Sequence, residues 1–376
     1  MTSKPQLIPS HQIDDQVVIP GLRQQLDMLG GTEPTANDEA KGRYFAAGEI
    51  DLSSYETIVV CMSGGKDSIA CLLHLIEQGV DMHKVELWHH DVDGREGSTL
   101  MDWTFMADYN RQLAQAFEVP LYFSWLKHGF EGEMLKENDY SHSQCVETPD
   151  GLLTLERDTR RSKPGTRLRF PQVSASLQTR WCSSSLKIDL GRRALNNQSR
   201  FLGTRTLFIT GERREESANR ARYFQLERHA SDTRFGRKAR HVDAWRPVLD
   251  WDESRVWETL ERHGVLAPVP YRLGWSRSSC QACVFNSDAI WATIAHYFPE
   301  KAQRIADYEQ QFGTTISRDK HTVLERARRS RPYEIEDLAA LEQATQPDYT
   351  LPVFTTPGTP WILPAGAFRS EGCGAS

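Results

Sequence analysis

Six consecutive residues limit this chain's possible folds more than any others: Ser63-Gly64-Gly65-Lys66-Asp67-Ser68. Before them runs Thr57-Ile58-Val59-Val60-Cys61-Met62, strand-length, apolar and β-branched, the pattern of a strand buried on both faces. After them Ile69, Leu72, Leu73 and Ile76 recur at helical spacing, and Gly79 closes the segment. A strand, a tight glycine turn and a helix form a unit that binds anions. Gly64 and Gly65 let backbone N–H groups approach a charged ligand, and the helix aims its positive end at the same point. Lys66 adds a mobile cation, and Ser63 and Ser68 add hydroxyl donors. Asp67 can cap the helix or hold Mg2+. The plain alternative is a glycine turn ahead of an ordinary helix.

Further strand-length runs follow at Val85–His90 and Leu121–Ser124, separated by a helical stretch from Leu100 to Phe117. This alternation predicts a doubly wound, mostly parallel α/β sheet. Residues 1–53 read as an N-terminal extension with a short helix at Leu22–Leu29. Residues 54–285 read as the α/β domain. It is interrupted at about 127–180 by a segment carrying Arg160, Arg161, Lys163, Arg167 and Arg169, which reads as an insertion or a lid over the active face. Residues 286–345 read as a helical C-terminal part, and 346–376 as a mobile, Pro/Gly/Thr-rich tail.

No run of about 18 apolar residues is present, and the first fifteen residues lack the apolar stretch of a secretory signal. The expectation is a cytoplasmic protein that does not span a membrane. Its seven cysteines are then free, catalytic or metal-bound rather than disulfide-paired. The net charge of −6 hides a basic stretch from Arg192 to Arg240, which either gathers anionic ligands or forms a solvated face.

Three further segments carry chemistry. His90-Asp91-Val92-Asp93-Gly94 follows the second strand, where Asp91 or Asp93 can meet a nucleotide or its metal, or simply shape a turn. Gly211-Glu212-Arg213-Arg214-Glu215-Glu216-Ser217-Ala218-Asn219-Arg220 follows the run Thr206–Thr210. Arg213 and Arg220 suit paired contacts to phosphate or sulfate oxygens, with Glu216 orienting one of them. Cys280-Gln281-Ala282-Cys283 is a chelating pair, and Cys182 supplies a third soft donor.

The glycine turn resembles the PP-loop of the ATP pyrophosphatase superfamily, and the arginine segment resembles the G-x-R-x-x-E-S-x-x-R pattern of phosphoadenylylsulfate (PAPS) reductase relatives. Trp245–Trp251, Val256-Trp257 and Pro270-Tyr271 continue that order. The resemblance is closest to DNA phosphorothioation sulfurtransferases. It implies an adenine nucleotide alpha hydrolase (HUP) fold, with Ser63, Gly64, Gly65, Lys66, Asp67 and Ser68 gripping the β- and γ-phosphates of ATP. Asp91, Asp93, Arg213, Glu216, Ser217 and Arg220 complete the nucleotide site, and Lys66, Asp67 and Arg213 serve catalysis. Pyrophosphate leaves and an adenylated intermediate remains.

Cys182-Ser183-Ser184-Ser185-Leu186-Lys187 resembles the stretch where iron–sulfur relatives carry a cysteine pair and a lysine, with Ser183 in the second position. Three readings stay open: a [4Fe–4S] cluster on Cys182, Cys280 and Cys283; a four-ligand cluster completed by Cys145 or Cys373; or zinc or free thiols. Implied partners are a nucleic acid substrate, a sulfur donor such as a cysteine desulfurase, and subunits of a defence complex. The alternatives are a thioredoxin-dependent reductase of phosphoadenylylsulfate or adenylylsulfate using Cys373, an ATP sulfurylase small subunit, and a DNA-binding subunit with a nucleotide switch.

Overall fold

The computed structural model describes residues 37–174 and 176–369. The expected helix at Leu22–Leu29 and Cys373 lie outside them.

Strand β1 (Arg43–Tyr44) is followed by β2 (Thr57–Cys61), helix α1 (Lys66–Glu77), β3 (Val85–Asp91), α2 (Met106–Ala116) and β4 (Leu121–Leu126). A short helix α3 (Gly129–Met134) precedes β5 (Gln144–Thr148) and β6 (Gly151–Leu155). The chain re-enters helix at Trp181–Ser183, passes a wide π-type turn at Ser184–Ile188, and continues as α4 (Asp189–Asn197). Then come β7 (Arg205–Ile209), β8 (Leu226–Arg228), β9 (His241–Trp245), α5 (Glu253–Arg262) and α6 (Val269–Arg272). Four helices follow: α7 (Asp288–Tyr297), α8 (Pro299–Phe312), α9 (Val323–Arg328) and α10 (Leu338–Gln343).

The strands form one sheet in the order β1-β8-β9-β7-β2-β3-β4-β5-β6. The five central strands, β9 to β4, are parallel, and both edges are antiparallel. Alternate residues serve opposite faces. Ile58, Val60, Leu87, Leu207 and Ile209 enter the large core shared with α1, α2 and α5. Val59, Trp88, Phe208 and Val242 enter a smaller core with Ala194 and Leu195 of α4. Burial on both faces is why these strands read as unbroken apolar runs. From β2 the chain winds outward to β3 and β4, then returns to place β7 and β9 on the other flank of β2. The winding therefore reverses between β2 and β7, and in such sheets ligands bind outside the carboxyl ends of the strands at that reversal.

Three sequence expectations are refined or change. Within the insertion at 127–180, β5 and β6 extend the sheet beyond β4 through antiparallel pairing. Part of the N-terminal extension also joins the sheet, with Arg43 opposite Glu227 and Tyr44 opposite Leu226. The tail is packed as far as it is described. Tyr349 is buried, Trp361 Nε1 donates to the Val265 carbonyl at 2.8 Å, and Gly366 N donates to the Tyr271 carbonyl at 2.8 Å. Its prolines mark irregular backbone, while its scattered aromatic residues supply the anchors. No helix among the described residues is long and apolar enough to cross a membrane.

Candidate active site

The turn after β2 is stitched by its own hydroxyls. Ser68 Oγ donates to the Gly65 carbonyl at 2.8 Å and lies 3.2 Å from Ser63 Oγ, which accepts from Gly65 N at 3.3 Å. Gly64 has φ +74°, and a Cβ there would stand 2.6 Å from Met106 Sδ, so both conformation and space call for glycine.

The segment after β7 closes on this turn. A Cβ on Gly211 would fall 2.9 Å from the Asp67 carbonyl carbon, so the two loops touch backbone to backbone at the start of α1. Arg213, 2% exposed, donates from Nε to Asp67 Oδ1 at 2.6 Å and pairs with Glu215. Lys66, 3% exposed, lies 3.1 Å from Asp67 Oδ2 and 4.0 Å from Glu253 Oε1. Burial opposes the charge on both partners, but their mutual attraction outweighs it. Lys66 is held above its ordinary value, and Asp67 is held below its own by Lys66 and Arg213. Glu216 accepts from Arg213 N at 2.8 Å and pairs with Arg220, while Arg277 stands 3.9 Å away. Ser217 Oγ accepts from Arg220 N at 3.3 Å. The cations expected to hold phosphate are thus together, each balanced by a carboxylate of the same chain.

The turn is also covered. Tyr271 Oη accepts from Lys66 N at 3.2 Å, and the Lys66 ammonium stands 5.3 Å from the Tyr271 ring and 5.8 Å from that of Trp257. Gly64, Gly65 and Lys66 are buried, whereas Ser63 is exposed. A phosphate at the head of α1 would have to displace Tyr271 and draw Lys66 and Arg213 from Asp67. Glu253, Tyr271 and Gly211 escape reading as site residues from sequence, since only tertiary contact brings them here. The order of motifs around Gly211 and Tyr271 was the available signal.

The His90–Gly94 segment divides its labour. His89 Nδ1 meets the Met62 carbonyl at 2.8 Å and His90 Nδ1 meets Ser124 Oγ at 2.7 Å. Burial lowers the two imidazoles to about 4 and about 3, so both are neutral at pH 7. Asp93 is consumed structurally: its carboxylate accepts from Met101 N at 2.9 Å and Asp102 N at 2.8 Å. The expected nucleotide or metal contact from Asp93 gives way to this clamp. Asp91 keeps a partly open carboxyl 3.8 Å from Arg95. Burial, then repulsion from Asp102, pushes it up to about 7, and burial with Asp93 pushes Asp102 to about 6.

Cys182 comes from the short helix Trp181–Ser183 and Cys280 and Cys283 from the loop before α7, and they share one neighbourhood, marked by Lys187. Burial opposes the Lys187 charge, yet Cys280, Asp102, Cys182 and Cys283 together hold it above its ordinary value. Burial raises the Cys182 and Cys280 thiols, so they stand protonated. Among the described residues no three His, Cys, Asp or Glu side chains are assembled to hold a metal ion. The donors are right in kind for soft-metal chemistry, but as arranged they do not fit a preformed cluster site. Cys145, considered as a fourth ligand, packs instead with Phe123 and Trp125.

Residues 167–285 match the family described as the phosphoadenosine phosphosulfate reductase domain. The match spans Cys182, the arginine segment and the Cys280–Cys283 pair, and begins after the glycine turn. The chain is 27% identical over 266 residues to an uncharacterized 37.8 kDa protein of Escherichia phage 186, covering 67% of this chain and 74% of that one. It is 25% identical over 134 residues to an uncharacterized protein of Methanocaldococcus jannaschii, covering 36% of this chain and only 30% of that one. Among solved structures, Candida glabrata FMN adenylyltransferase with FMN and an ATP analog is similar at 11% identity and a TM-score of 0.34. That overlap covers 96% of this chain and 93% of the other, a likeness too slight to carry an argument. Residues 167–285 are thus similar to the phosphoadenosine phosphosulfate reductase domain, a finding that supports the likeness to PAPS reductase-like PP-loop proteins.

Proposed function

We propose that this protein is an ATP pyrophosphatase that adenylates an oxygen of its substrate so that sulfur can replace it, with nucleic acid as the acceptor, as in DNA phosphorothioation. One observation carries the reading. Lys66, Arg213 and the head of α1 meet at the reversal point of a parallel sheet, where an anionic ligand is expected.

In this reading the β- and γ-phosphates take Lys66 and Arg213 from Asp67. The freed Asp67 carboxylate would hold Mg2+, which when bound neutralises phosphate charge. The acceptor oxygen attacks the α-phosphorus, the bond to the β-phosphate oxygen breaks, and pyrophosphate leaves. Arg213 and Lys66 stabilise the charge gathering on the departing group. The acceptor oxygen then departs with AMP when a sulfur nucleophile displaces it. Cys182, Cys280 and Cys283 are suited to carry that sulfur as a persulfide received from a donor protein. After attack by the persulfide, a second thiol of the set cleaves the sulfur–sulfur bond. This releases the thiolated product and leaves a disulfide for a thiol reductant to reset.

The test is an assay of ATP with the full chain and Mg2+, with and without single-stranded oligonucleotide. AMP and pyrophosphate are the expected products. Release of orthophosphate and ADP alone would contradict the reading.

A further inference from the structure

At the opposite end of the sheet, on the side of the strands' amino ends, twelve residues (229–240) link β8 to β9. Four of the eight residues from Thr233 to Arg240 are Arg or Lys, and none is acidic. The loop is built, not loose. Gly236 N donates to the Thr233 carbonyl at 2.7 Å, Thr233 N to the Arg240 carbonyl at 2.8 Å, and Thr233 Oγ1 to the Lys238 carbonyl at 2.8 Å. Arg234 is spent on Asp232 and Asp243, and Arg240 on Asn196. What this frame displays is Phe235, 84% exposed, the most exposed large apolar side chain among the described residues. Arg237 and Lys238 are exposed beside it. The Arg228 guanidinium lies 5.3 Å from the Phe235 ring centre.

A cavity of about 470 Å³ opens next to this loop. Arg228, Arg205, Tyr44 and Tyr55 line it, with Glu39 and Glu49 also on its walls. Arg205 lies over the Tyr55 ring at 4.8 Å, and its buried Nε finds no acceptor. An exposed aromatic face on a hydrogen-bonded loop, with exposed cations beside it, is the chemistry of base stacking beside phosphate. The mixed cavity walls match a heterocycle, which offers donors to carboxylates and acceptors to guanidinium groups. A lipid surface is a poorer fit, since one phenyl ring gives little apolar area to insert.

We propose that the Phe235 loop and its neighbouring cavity form a docking surface for single-stranded nucleic acid. One base stacks on Phe235, phosphates meet Arg237 and Lys238, and an adjacent base enters the cavity. The surface gives the nucleic-acid reading above a place to hold the polymer, and rests on that reading only for its purpose.

The experiment is fluorescence anisotropy of a labelled, mixed-sequence single-stranded oligonucleotide with the full chain, without ATP. Phe235→Ala weakens binding about tenfold. Arg237→Glu with Lys238→Glu weakens it further and lowers its salt dependence. Both changes fall on exposed side chains, so circular dichroism should match the parent. Unchanged affinity in Phe235→Ala would overturn the proposal. So would equal binding of a duplex of the same sequence, or complete competition by anionic phospholipid vesicles. Because no ATP is present, failure here and failure of the pyrophosphate assay are separate results.

Discussion

The glycine turn opens the stretch that carries the family resemblance and the Cys280–Cys283 pair closes it, and the two sites are built in opposite ways. At the turn, cations and carboxylates are matched and held close: Lys66 and Arg213 share Asp67, and Arg220 shares Glu216 with the Arg213 backbone. At the cysteines, the thiols share the surroundings of Lys187, and among the described residues no group of three or more metal-ligating side chains is assembled. The difference teaches that the first site is held by ion pairs between distant segments, whereas the second has no such network. A buried ion pair is costly to break from one side, so the turn should be rigid and unforgiving of change. The cysteines, outside any such ion-pair network, should tolerate it.

The sharpest way to break this comparison is Lys66→Ala. Loss of the cation should lower pyrophosphate release by about 10²–10³-fold, measured against parent protein of the same circular dichroism. Near-parental turnover would mean the paired arrangement is structural only.

A second test addresses the carboxyls between the two regions. Asp91 ionises at 3.8 in an unfolded chain but at about 7 in the fold, first through burial and then through Asp102. The native state therefore holds a proton that the unfolded state has lost. The stabilising contribution is present below 3.8 and declines as pH rises through about 7. Thermal melts across this range should show falling stability. Asp102→Asn should flatten the slope in part, since burial is the larger cause. An unchanged slope would uncouple the two carboxyls.

The smallest expected effect belongs to the cysteines. In metal-free protein, Cys182→Ser and Cys283→Ser should each shift stability by only about 1 kcal/mol. Anaerobic preparations of parent and variants, analysed for iron and sulfide, sharpen the result. A large, metal-dependent loss of stability in either variant would show that the thiols assemble around a metal after all.

Much of the central sheet was legible because its strands are buried on both faces and its helices carry one apolar stripe. Thr57–Met62, the turn at 63–68 and the helix beyond it emerge within one or two residues of β2 and α1. The short edge strands β1 and β8 were not legible, since two or three residues become a strand only when a distant partner supplies the hydrogen bonds. The fate of Asp93 was hidden for a similar reason. Nothing in His90–Gly94 announces that Met101 and Asp102 will return to occupy that carboxylate.

By itself the sequence determined the glycine turn, because glycine conformation, helix polarity and hydroxyl stitching act between neighbours in the chain. It also determined the arginine segment's composition and the kind of donor the cysteines can be. Only the tertiary structure decided that Tyr271 covers Lys66, that Gly211 presses on Asp67, and that the three thiols share the surroundings of Lys187. Those outcomes depend on where separate segments pack, and packing is settled by the whole core rather than by any stretch of residues within it.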